Sequence, residues 1–126
     1  MKKTLLIYLI LLCSTLILNS QTTFSVKKPI NVATGTGPYT IASGLLDGDA
    51  FNDIVIGTEG STLEWYKNNG DGTFTIQTTI THSLSTIYGV TIADLDGING
   101  NDIIATGFSN DKLVWFPNNG HGTFGS

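Results

Sequence analysis

The sequence has 126 residues, six lysines and no arginine against ten acidic residues, and a formal net charge of −4. A chain of this length holds one domain at most, and an acidic one without arginine is a poor match for nucleic acid or anionic lipid, so cations are the expected partners of its charge. Its one cysteine, Cys13, excludes a disulfide framework.

Residues 1–20 read as a secretory signal peptide. Lys2 and Lys3 give a positive start, Leu5 to Leu18 is almost wholly apolar, and Leu18-Asn19-Ser20 ends in a small residue before Gln21. That apolar run is about 14 residues long, shorter than the roughly 20 a bilayer-spanning helix needs, so no membrane span is expected. A lipoprotein signal built on Cys13 would put bulky Leu12 where such signals want a small side chain. The expected destination is the cell surface, the periplasm or the exterior. The 106 residues after Ser20 keep four lysines and ten acids, a net charge of −6, and no cysteine. Their stability must come from packing or from a bound ion.

Beyond the signal no helical period appears. Short β-rich runs alternate with Gly, Asn and Asp clusters, the pattern of strands and tight turns. The predicted strands are Phe24–Asn31, Tyr39–Ser43, Ile54–Gly57 and Thr62–Lys67, then Phe74–Ile80, Tyr88–Ala93, Ile103–Gly107 and Lys112–Phe116. Ala33 to Pro38 is a loop on composition. Asn69-Gly70 and Asn119-Gly120 suit reversals, because both residue types accept positive φ. Leu63 and Trp65 share one face of their strand, as do Leu113 and Trp115, while Glu64 and Tyr66 point the other way. Both tryptophans are expected in a core between units. His82 and His121 read as exposed loop residues.

The second half of the chain repeats the first. Leu46-Asp47-Gly48-Asp49-Ala50-Phe51-Asn52-Asp53-Ile54 returns as Leu95-Asp96-Gly97-Ile98-Asn99-Gly100-Asn101-Asp102-Ile103, 49 residues on. Leu63 to Phe74 returns as Leu113 to Phe124, 50 residues on, and Phe24, Phe74 and Phe124 each follow a threonine. Such a period marks units that bury their apolar faces only by stacking on neighbours. The units run from about 24 to 73 and from 74 to 124. The expected fold is all-β: two four-stranded antiparallel blades of β-propeller type, an incomplete propeller, since a ring takes at least four. The chain is therefore expected to be the front of a longer protein or to associate with itself.

The acidic loops carry the chemistry. Asp94, Asp96 and Asp102 stand at places 1, 3 and 9 of a nine-residue loop; Asp47, Asp49 and Asp53 stand at places 3, 5 and 9 of the loop Leu45 to Asp53. Alternate carboxylates in a Gly-containing turn converge their oxygens and repel unless a cation joins them. Ca²⁺, with 6–8 hard oxygen ligands, suits them. The competing explanation is Asx turns that bond their own backbone. The lack of cysteine ligands argues against zinc.

These loops, the strands Asp53-Ile54-Val55-Ile56-Gly57 and Asp102-Ile103-Ile104-Ala105-Thr106-Gly107, and the Asn-Asn-Gly-x-Gly-Thr-Phe turns resemble FG-GAP/VCBS-type repeats. These are the propeller repeats of integrin α-subunits and of large secreted bacterial proteins. The resemblance implies a loop D-x-D-x-D-G-x-x-D that binds calcium by side chains at places 1, 3, 5 and 9 and a carbonyl at place 7. Carried over, it implicates Asp47, Asp49 and Asp53 with the Phe51 carbonyl, and Asp94, Asp96 and Asp102 with the Gly100 carbonyl. Leu45 and Ile98 each replace one carboxylate, and Ala50 and Asn99 replace the glycine. Each loop keeps three of four acidic ligands, so binding at or beyond the weak end, about 10⁻⁴–10⁻³ M, is expected.

The expected function is a non-catalytic, calcium-stabilised scaffold for binding or adhesion to an extracellular protein or glycan. Two other readings stand beside it: an accessory module of a longer secreted enzyme, such as a polysaccharide-degrading one, and a structural spacer without metal. A glycosidase needs two carboxylates facing across a cleft; here they lie within single loops. No hydrolase, metalloprotease or phosphate-cradling motif is present.

Overall fold

A computed structural model of the chain describes residues 26–30 and 34–125. The predicted signal peptide, residues 1–20, lies outside the described residues. The described chain is all-β, with two antiparallel sheets. The first has four strands in the order β1 (Pro38–Gly44), β2 (Asp53–Thr58), β3 (Leu63–Asn68) and β4 (Phe74–Ile76). The second has three, β5 (Ile87–Ala93), β6 (Asp102–Gly107) and β7 (Lys112–Phe116).

The duplication extends to register. Val55 pairs with Trp65 in the first sheet and Ile104 with Trp115 in the second. The register slips between Pro38 and Thr40 and again between Ile87 and Gly89. Asn68 pairs with Phe74, and an isolated bridge joins Asn118 to Phe124. That bridge is what the second sheet has in place of a fourth strand among the described residues.

Two expectations are corrected. The run Phe74–Ile80, expected to open the second unit, forms a strand only to Ile76 and closes the first sheet against β3. A five-residue turn returns it onto β3 at once, and antiparallel neighbours joined by a short turn pair locally. Past it, the amides of Gln77 and Ile80 still donate to the carbonyls of Trp65 and Leu63, at 2.9 and 3.1 Å. Of Phe24–Asn31, residues Val26–Ile30 carry no strand, and the rest lie outside the described residues.

The core lies between the sheets. Leu46, Val55, Leu63 and Trp65 of the first unit share one cluster with Ile87, Ile103, Ala105 and Phe116 of the second and with Ile80 and Leu84 from the connecting segment. All six residues of β2 are buried, which suits its Ile-Val-Ile centre, since a strand covered on both faces reads as a continuous apolar run. On its other face Ile54, Ile56 and Tyr66 form a second cluster with Phe74. The alternation predicted for the tryptophan strands holds, but the burial differs: Trp65 is 5% exposed, whereas Trp115 is 44% and Leu113 71% exposed. Among the described residues nothing lies over that face of the second sheet, so the expected core position of Trp115 is corrected. Among the described residues no helix is long and apolar enough to cross a membrane.

Candidate metal centre

Each acidic loop begins where the first strand of its sheet ends and finishes at the aspartate that opens the next strand. Asp53 and Asp102 are fully buried and do the same work. Asp53 accepts the amides of Leu46 (3.1 Å) and Asn68 (2.9 Å); Asp102 accepts those of Leu95 (3.1 Å) and Asn118 (2.9 Å). Each carboxylate thus ties the start of its loop to the end of the third strand of its sheet. Burial pushes the Asp53 carboxyl above its usual range, over the opposing pull of its two backbone donors. Burial also pushes Asp102 upward, but the donors from Asn118 and Leu95 outweigh it and its carboxyl lies below that range.

The other acids divide sharply. In the second loop, Asp94, Asp96 and Asp102 each bring one oxygen to within 4.8 Å of the others. One oxygen of Asp94 accepts the Gly97 amide at 2.7 Å, and one of Asp96 accepts the Ile98 amide at 2.8 Å. The Asp96 bond is the Asx turn expected of such residues, and the Asp94 bond reaches one residue further. Asp94 and Asp96 each keep an oxygen with no donor among the described residues, while both oxygens of Asp102 accept amides. No basic side chain there pairs with them. Asn99, at the place where the family motif has glycine, takes φ of 60°, and Gly97 and Gly100 also have positive φ. Asn is among the few residues that adopt this region readily. The donor set is hard, anionic and uncompensated, and it fits Ca²⁺.

In the first loop Asp47 and Asp49 make similar turns, accepting the amides of Asp49 (3.1 Å) and Phe51 (2.8 Å). Their second oxygens converge on the Lys67 ammonium, which pairs with Asp47 and lies 2.9 Å from Asp49. Asp47, Asp49 and Asp53 therefore do not stand as an open set of ligands. Lys67 was not singled out in the sequence, although a signal was there: its counterpart in the second unit is Pro117, and Asp49 corresponds to Ile98.

The two loops also touch through asparagines that the sequence did not mark. Asn101 donates to the Leu45 carbonyl (3.1 Å), and Asn118 donates to the carbonyls of Leu46 (2.7 Å) and Asn101 (2.8 Å). The first loop is held under the second unit. The second loop is open, and a side chain added at Gly97 or Gly100 would meet nothing within 4 Å. Of the histidines, His121 is exposed as expected, but His82 is half-buried and its Nδ1 accepts the Leu84 amide at 3.0 Å.

No curated protein and no solved structure matches the chain. Residues 46–97 match the family model of the FG-GAP-like repeat. The matched stretch runs from one acidic loop into the next and takes in strands β2 to β5. Residues 46–97 thus carry an FG-GAP-like repeat, and the sheets and loops that recur around it are consistent with an FG-GAP-type repeat protein.

Proposed function

We propose that this repeat protein is an exported, non-catalytic scaffold for binding or adhesion outside the cell, stiffened by calcium at the second acidic loop. The observation that carries the reading is the convergence of Asp94, Asp96 and Asp102 without a compensating cation among the described residues. Calcium there would supply the missing positive charge, and the chain's own part is to hold three carboxylates together at the junction of β5 and β6. The loop acids lie within one turn and not across a cleft, which supports a structural role over acid–base catalysis. The partners proposed are an extracellular protein or glycan, and further units of the same kind stacked on the exposed face of the second sheet, from the chain itself or from a second copy.

Thermal melting with calcium and with chelator tests the metal. With a dissociation constant near 10⁻³ M, 10 mM Ca²⁺ stabilises the folded state by about 1.4 kcal/mol. For a domain of this size that raises the midpoint by about 6–11 °C. Asp94→Asn/Asp96→Asn should abolish the shift. Equal midpoints in calcium and chelator would leave the second loop as a plain turn and favour a metal-free spacer.

A further inference from the structure

The first loop is not a weaker version of the second. Its acids are arranged around a cation that the chain supplies. Lys67 leaves β3 opposite Thr75 of β4, and its Nζ reaches back 18 and 20 residues to Asp49 and Asp47. The oxygens it takes are those left over once each aspartate has accepted a backbone amide. The Asp47 side chain is only 9% exposed, and those of Lys67 and Asp49 are 36% and 32% exposed, so the cluster is partly shielded from solvent at Asp47. The backbone agrees: Ala50 and Phe51 lack the positive φ that Asn99 and Gly100 adopt at the same places. The sequence differences agree as well, because where the first unit has Asp49 with Lys67, the second has Ile98 with Pro117. An acid and a base are present together or absent together. A divalent ion entering the first loop would have to displace an ammonium already bonded to two of its three carboxylates, against like-charge repulsion at contact distance.

We infer that the Lys67 ammonium takes the place of a divalent ion in the first loop, so that the repeat closes one acidic loop with its own side chain and leaves the other for metal. The part concerning Lys67 stands on the contacts alone; the part concerning the second loop rests on the calcium reading above. It follows that the interface between the two units keeps its form when calcium is withdrawn, while the open loop does not.

Two measurements test this. In chelator, thermal melts of the wild type, Lys67→Met, Asp47→Asn and the double variant form a cycle. The loss of midpoint in the double variant should fall short of the sum of the single losses by roughly 3 °C or more. Additive losses would overturn the inference. In the second measurement, calcium alone is titrated calorimetrically into the wild type, Asp47→Asn/Asp49→Asn and Asp94→Asn/Asp96→Asn. One ion per chain is expected in the first two, with affinity within about twofold, and none in the third. Loss of an ion in the Asp47/Asp49 variant, or two ions in the wild type, would overturn it. If the wild type binds no calcium, the proposed function loses its metal, and the cycle in chelator still decides the role of Lys67.

Discussion

Trp65 and Trp115 occupy one position in two copies of a repeat and live in different surroundings. Trp65 packs edge-on against Phe124, ring centroids 5.7 Å apart, under the turn that carries Gly122. Removing a buried aromatic of this kind costs about 3–5 kcal/mol. Trp65→Ala should therefore unfold at much lower denaturant, whereas Trp115→Ala, at an exposed position, should cost about 1 kcal/mol or less. Equal losses in urea melts would contradict the packing described. His82 gives a second prediction. Burial lowers its pKa, and its Nδ1 accepts an amide only while the ring is neutral. In the unfolded chain the ring takes up a proton near its ordinary value of about 6.5. The unfolded state then binds more protons, so stability present above that pH is lost as pH falls from there toward the depressed folded value. Melting midpoints from pH 7.5 to pH 5 should show this slope, and His82→Asn, which keeps an acceptor in place of Nδ1, should flatten it. An unchanged slope would assign the effect to another group.

At the scale of elements, much was legible in the sequence. Period-two alternation and β-branched runs mark six of the seven strands almost to the residue, because each strand carries its own signal between Gly and Asn turns. The ownership of Phe74–Ile76 was not legible. A repeat can be cut at any point of its period, and only hydrogen bonding to β3 shows that the strand after the Asn-Asn-Gly turn belongs to the sheet before it. The acidic loops were visible as text, yet their difference depends on Lys67, which arrives from another strand and pairs with nothing near it in sequence. A local pattern reports which ligands a loop offers and not what another element places among them. Gly122 is a like case. Its φ of 71° fits a turn read from sequence, but the Trp65 ring lying where a Cβ would go is a fact of tertiary packing.

As a whole molecule, the described chain is held together by one unit stacking on the next, and the matching face of the second unit is exposed among the described residues. The first sheet shows how that face is filled: Leu63 and Trp65 are covered by Ile80, Leu84 and the second unit's turn. The corresponding face of the second sheet presents Leu113 and Trp115, 71% and 44% exposed. On the partner reading proposed above, this apolar face is an interaction surface and its occupant is another unit of the same repeat. In a solution of this 126-residue chain a second copy would supply one. Sedimentation velocity over a range of concentrations tests this most directly. The wild type should associate as concentration rises, and Leu113→Ser/Trp115→Ser should sediment as a monomer with its melting midpoint nearly unchanged. A wild-type protein that stays a monodisperse, cooperatively melting monomer at every concentration would contradict the account.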